Sequence, residues 1–182
     1  MSHYDEILEL SLSNYGLVSF GQAIDAGISG SELNRYVATN RLEKVGHGLY
    51  RVNARLITPY DRFAQAVALV GADSRLHGTA VLALLGLAHV NPRELEVATN
   101  RRVRKALPSW IRVVKAKTPE EVVKYHGIPC QPLAQAITAS KRVVMPDRLA
   151  SAASRAYSQG LLTKSELKAL RKELEHAEGK AN

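Results

Sequence analysis

Ser31, Asn34 and Arg35 stand at i, i+3 and i+4 in a stretch of helical periodicity, a spacing that puts all three on one face. Arginine offers two parallel N–H donors that match a guanine edge, and asparagine donates and accepts as an adenine edge requires. Ser29 and Thr39 extend this small, polar, cationic set toward the two ends of the same helix. Arg41, Lys44, His47 and Arg51 follow, and their heads suit phosphate oxygens better than bases. The chemistry open to such a set is recognition of double-stranded DNA by hydrogen bonds and charge.

Groups for making or breaking bonds are not assembled elsewhere. His77 adjoins Gly78 near Asp73, with no serine or cysteine at a nucleophile turn, and reads as the cap of a helix. His126 and Cys130 are separated by a glycine and a proline, and two ligands do not complete a zinc site. Glu94, Glu96 and Arg101 lack the aspartate and lysine spacing of a metal nuclease, and no glycine loop cradles a phosphate. The sequence therefore predicts a protein that is not an enzyme and uses no metal and no cofactor.

The elements that must position the polar set can be read around it. Tyr4, Ile7, Leu8, Leu12 and Tyr15 recur at helical spacing and predict a first helix with one buried face, ended at Asn14-Tyr15-Gly16. Ser19 with Gln22, and Ser29 with Glu32, are capping-box pairs. They open two helices that Gly27 separates and that must meet through a tight turn. In the later helix, running to about Asn40, Leu33, Tyr36 and Val37 form the inward stripe. Residues 41–45 and 49–52 read as strands joined by a Gly46-His47-Gly48 turn, whose glycines allow positive φ. Helix, turn, helix and hairpin is the layout of a winged helix-turn-helix.

A break near 53–58 predicts two domains, 1–55 and 56–182, and an α+β fold: a winged helix-turn-helix followed by a mixed α/β C-terminal domain. In the second part, Phe63, Ala66, Val67 and Val70 mark a helix, and 75–78 a short strand leading into a small-residue helix. Strands are expected at 95–99 and 111–115, and a pair about His126-Gly127. An alanine-rich helix then precedes a last one capped by Thr163 and Glu166, with Leu167, Leu170 and Leu174 inward and 179–182 frayed.

The chain carries a net charge of +8, which favours an acidic partner. Residues 1–32 hold no Lys or Arg, so the positive field begins at the predicted recognition helix. Arg101, Arg102, Arg104 and Lys105 form a possible second basic surface, continued by Arg112, Lys115, Lys117 and Lys124. It reads as a second phosphate contact, an interface for an acidic partner, or a solvated loop. One cysteine, no signal-like N-terminus and no apolar run near ~20 residues predict a cytoplasmic protein without a membrane partner.

Three segments together resemble the AbiEi family of antitoxins, the regulators paired with nucleotidyltransferase toxins in abortive-infection systems. They are the winged-helix lines GISGSELNRYV and RLEKVGHGLYRV, then SRLHGTAVLALLGL, then HGIPCQPLAQAI. The resemblance implies an N-terminal DNA-binding domain that represses its own operon by binding promoter repeats, and a C-terminal domain that counters the toxin. This chain departs from the pattern at Asn40, where glycine is frequent, and at His47, where arginine or proline is frequent. Asparagine tolerates left-handed backbone, whereas histidine removes a fixed charge from the wing tip.

The reading is thus a DNA-binding autorepressor and antitoxin acting in phage defence. Its partners are double-stranded DNA at its own promoter and, functionally, a cognate toxin. The rivals are an adaptor that neutralises a toxin by contact with little DNA binding, and an RNA-binding or nuclease-like protein using the 101–124 surface.

Overall fold

Each of the first three helices begins on a serine that accepts the backbone N–H three residues on, while the side chain at that position reaches back to the serine N–H. Ser2 and Asp5 cap α1 (His3–Leu12), Ser19 and Gln22 cap α2 (Phe20–Asp25), and Ser29 and Glu32 cap α3 (Gly30–Ala38). Both capping boxes expected from sequence are present, and a third precedes them. The structure is a computed structural model describing residues 2–116 and 121–178, the side chains of 177 and 178 excepted.

A three-stranded antiparallel sheet follows the helices, with order β1-β3-β2. Its strands are β1 (Leu17–Ser19), β2 (Leu42–Gly46) and β3 (Leu49–Val52). The hairpin was legible, but β1 was not. Three residues are too few to show alternation, and Ser19 doubles as the cap of α2. Helix, strand, helix, helix and hairpin, with β1 on the outer edge of β3, is the winged helix-turn-helix arrangement.

Its core joins Ile7 of α1, Ala23 of α2, Leu33 and Tyr36 of α3, and Val18, Leu42, Tyr50 and Val52 of the sheet. Leu12, expected on the buried face, is instead 82 % exposed. It is the last residue of α1, and the chain then reverses through Tyr15 at φ +54° and Gly16 at φ +73° rather than continuing over the core.

The two turn glycines serve different ends. Gly48 takes a φ of +65°. Gly46 has no positive φ; a Cβ there would stand 2.2 Å from Leu69 Cδ2, so its lack of a side chain admits a neighbouring helix. A register shift between Lys44 and Gly46 marks a bulge beside it.

That neighbour is α4 (Asp61–Val70). The first compact unit accordingly runs through Ala72, past the expected boundary at 55, and also includes Arg102–Pro108. Arg55 makes the junction: its guanidinium donates to the Tyr15 carbonyl at 2.6 Å and pairs with buried Asp61. The same carboxylate accepts from the Thr58 N–H at 2.9 Å, closing the first turn of α4.

The second unit, residues 73–101 with 109–182, holds a five-stranded mixed sheet of order β6-β5-β4-β8-β7. The strands are β4 (Arg75–Leu76), β5 (Leu95–Thr99), β6 (Ile111–Lys115), β7 (Val123–Tyr125) and β8 (Ile128–Cys130). β4 is antiparallel to β5 and parallel to β8; β5 and β6 run parallel, and β7 and β8 antiparallel. The helices are α5 (Thr79–Leu84), α6 (Leu133–Ala139), α7 (Pro146–Ser158) and α8 (Lys164–Glu178). The expected fraying at 179–182 falls outside the described residues.

His77 does not cap α5, as the sequence suggested. Gly78 is the cap residue, at φ +52°, and its N–H donates to the buried Gln131 side chain at 3.1 Å. His77 Nδ1 instead faces Glu96 at 3.2 Å, and Glu96 also pairs with Arg112. Among the described residues no helix is long and apolar enough to cross a membrane.

Candidate nucleic-acid interface

α3 presents two faces because Leu33 and Tyr36 are drawn into the core while Ser31, Asn34, Arg35 and Ala38 point away from it. Ser31 and Asn34 are exposed, and their side chains have no hydrogen-bond partner among the described residues. Arg35 is 64 % exposed at its side chain. The polar trio read from spacing is thus displayed together, in the N-terminal and central part of the helix.

The arginines are not loose. Tyr4 of α1 and Tyr36 of α3 meet as a tilted pair, with ring centroids 5.4 Å apart and planes at 48°. Arg35 lies 5.3 Å from the Tyr36 centroid, and Arg41 lies 5.0 Å from that of Tyr4. A row of cation, ring, ring and cation therefore sets two guanidinium groups at the two ends of an aromatic pair, an arrangement favoured by the ring quadrupoles. Tyr4 was read from sequence only as a core residue, since no local pattern reveals which cation it carries.

Ser29 and Thr39 spend their hydroxyls locally. Ser29 exchanges bonds with Glu32, and Thr39 Oγ1 donates to the Arg35 carbonyl at 3.0 Å, closing the last turn. Asn40 takes the left-handed conformation at φ +55° that its place after the helix demands, and Asn53 pins it by donating to its carbonyl at 2.9 Å. This clamp sets where Arg41 and β2 begin.

On the wing, Lys44 on β2 and His47 in the turn are exposed. Arg51 differs: its side chain is 15 % exposed, bonded to Gln65 of α4 and 3.8 Å from Glu43. The structure gives Arg51 the work of holding the wing to α4. In the basic cluster, Arg101 pairs with Asp73 at 2.6 Å in the second unit. Arg102 and Arg104 are exposed, Lys105 is half-buried, and all three belong to the first unit. Lys117 of the wider cluster lies outside the described residues.

Glu32 anchors the start of α3. Its Oε1 meets His3 Nδ1 at 2.7 Å and stands 3.9 Å from Arg35 Nη2, while Oε2 holds Ser29. The His3 bond, then those of Ser29, pull its pKa down to about 2, and the same contact raises that of His3. A raised histidine contributes stability that is complete below its ordinary value of 6.5 and is lost as pH rises through its folded value. The melting temperature of the native chain is therefore expected to drift downward as pH climbs past 6.5, and this step should vanish in His3→Ala. Equal slopes in the two melting series would show that the pair carries no such linkage.

Cys130 is fully buried, and burial pushes its thiol up to about 12, which disfavours the thiolate near neutrality. His126 stands exposed in the β7–β8 turn at φ +51°.

Residues 5–53 match the family model described as transcriptional regulator, AbiEi antitoxin. The match spans α1 through β3, so the winged helix carries the pattern that the sequence resembles, and that pattern belongs to a family of regulators. No curated protein matches the chain.

Proposed function

With its winged helix shared with the AbiEi antitoxin regulators, we propose that this chain binds specific double-stranded DNA in its own promoter, represses its own operon and counters a nucleotidyltransferase toxin. The observation that carries the reading is the joint display of Ser31, Asn34 and Arg35 on the outward face of α3, in a domain matched to regulators. These three read base edges, Arg41, Lys44 and His47 grip phosphates, and the second unit acts on the toxin. Arg102, Arg104 and Lys105 lend further charge to the DNA-binding unit.

The test is Arg35→Ala. A bidentate arginine–guanine pair discriminates by about 1–3 kcal/mol, so the footprint on the chain's upstream DNA should weaken by roughly five- to a hundredfold. A native complex holding six phosphates would show a salt slope near ~−5. An unchanged footprint would remove α3 from the recognition role. In cells carrying the toxin, the same full-length variant should lose repression and keep neutralisation.

A second reading, neutralisation by direct contact with little DNA binding, draws on the second unit. Val143 and Met145 are 70 % and 66 % exposed on a groove of about 600 Å³ that Arg148 and Arg112 also line. It stands if the native chain relieves toxicity while leaving no promoter footprint.

A further inference from the structure

The last two helices form a second cationic surface remote in sequence from the winged helix. α8 buries Leu167, Leu170 and Leu174, and its packing on α7 leaves a groove of about 570 Å³ between them. Lys164, Lys168 and Lys172 line it at i, i+4 and i+8, a row with about 6 Å between successive side chains. Arg171 adds a fourth cation, held across the groove by a 3.2 Å bond to Ser154 of α7. Among the described residues, Glu175 is the one acid on the lining.

All four cations are exposed, and among the described residues none of the three lysine ammonium groups has an acidic partner. Tyr157 of α7 lines the same groove and is 43 % exposed, an aromatic ring left partly open beside unpaired charge. An ordinary solvated helix face would interleave acids with these lysines, as the i, i+4 pairing of exposed helices favours. Here the acids Glu166 and Glu173 are occupied elsewhere, by Thr163 in the cap and by Lys141 and Thr138, which leaves Glu175 against four cations on the lining.

We propose that the α7–α8 groove binds a single-stranded nucleic acid, its phosphates along the lysine row and a base stacked on Tyr157. A row of cations beside an open ring is the combination by which sequence-tolerant single-strand binding works. A duplex would satisfy the lysines but not the tyrosine, since its bases are stacked on one another and present no free face. The inference is independent of the reading of α3, because it uses other residues in the other unit.

Fluorescence anisotropy of the full chain with labelled U15 and dT15 tests it, with a 15-base-pair duplex as comparison. Lys168→Gln with Lys172→Gln should weaken single-strand binding about tenfold and flatten the salt slope by about 1.4, as two lost phosphate contacts require. Tyr157→Leu should cost about tenfold and Tyr157→Phe little, because stacking needs the ring and not the hydroxyl. Arg35→Ala should leave U15 binding intact, which separates this site from the promoter-reading face. Both exposed substitutions leave the buried leucine stripe in place, and unchanged melting temperatures confirm that folding is not the variable. Native U15 affinity in the lysine double variant, or in Tyr157→Leu, overturns the proposal. So does displacement of U15 by polyglutamate with an affinity indifferent to Tyr157, which would assign the groove to an acidic protein.

Discussion

Asp61→Ala is expected to cost the first unit about 3–5 kcal/mol, measured by urea denaturation. The carboxylate is 4 % exposed and accepts from Arg55, from the Thr58 N–H and from the Thr58 hydroxyl. Removing it strands the Arg55 guanidinium, itself only 23 % exposed at the side chain, and opens the first turn of α4. The larger share of the loss is the uncompensated charge, so Arg55→Met added to Asp61→Ala should recover much of it. A loss below 1 kcal/mol would mean that the pair does not hold α4 to the winged helix.

The pair also has a pH signature. Burial pushes the Asp61 carboxyl up, but the bonds from Arg55 and Thr58 outweigh it, and the net shift is downward from 3.8. A depressed carboxylate contributes stability that is complete above its unfolded value and disappears as pH falls through its folded value. Acid unfolding of the native chain should therefore be steepest below pH 3.8, and shallower there in the alanine variant.

Leu33→Ala is the second large effect, at about 2–5 kcal/mol. Leu33 is fully buried on the inner face of α3, two residues from Ser31 and Arg35, within the core that joins all three helices to the sheet. Truncation removes apolar burial and leaves a cavity under the helix that displays the polar trio. A small domain has few kcal/mol in reserve, so the proposed promoter binding should fall with stability even though Ser31, Asn34 and Arg35 are unchanged. Chemical denaturation and the footprint, measured together, check this. A stable variant with a lost footprint would instead point to a change in the pose of α3 alone.

These two positions differ in how far along the chain their signals lie. Leu33 reads as part of the inward stripe from its spacing to Tyr36 and Val37, because an amphipathic helix repeats its buried residues on a short local period. Ser19 and Ser29 are equally legible as caps, since the hydrogen bonds that start a helix span only three residues. Asp61 carried no such signal. Its partner Arg55 lies in a loop, and the pair also depends on the Tyr15 carbonyl, which the tertiary fold brings within reach.

The sequence by itself determined the first three helices and the caps of two of them, the hairpin, the left-handed Asn40 and the outward set Ser31, Asn34 and Arg35. These rest on backbone preferences and periodicities within a few residues. Only the tertiary structure decided the rest. It added β1 as a third strand, took Arg51 to α4, made Gly46 a packing position against Leu69, laid Arg35 and Arg41 on Tyr36 and Tyr4, and extended the first unit to Ala72. The physical reason is common to all five. Each depends on which distant surface arrives beside a side chain, and a cation or a glycine has the same local pattern whether it meets solvent, an aromatic face or the methyl group of a leucine.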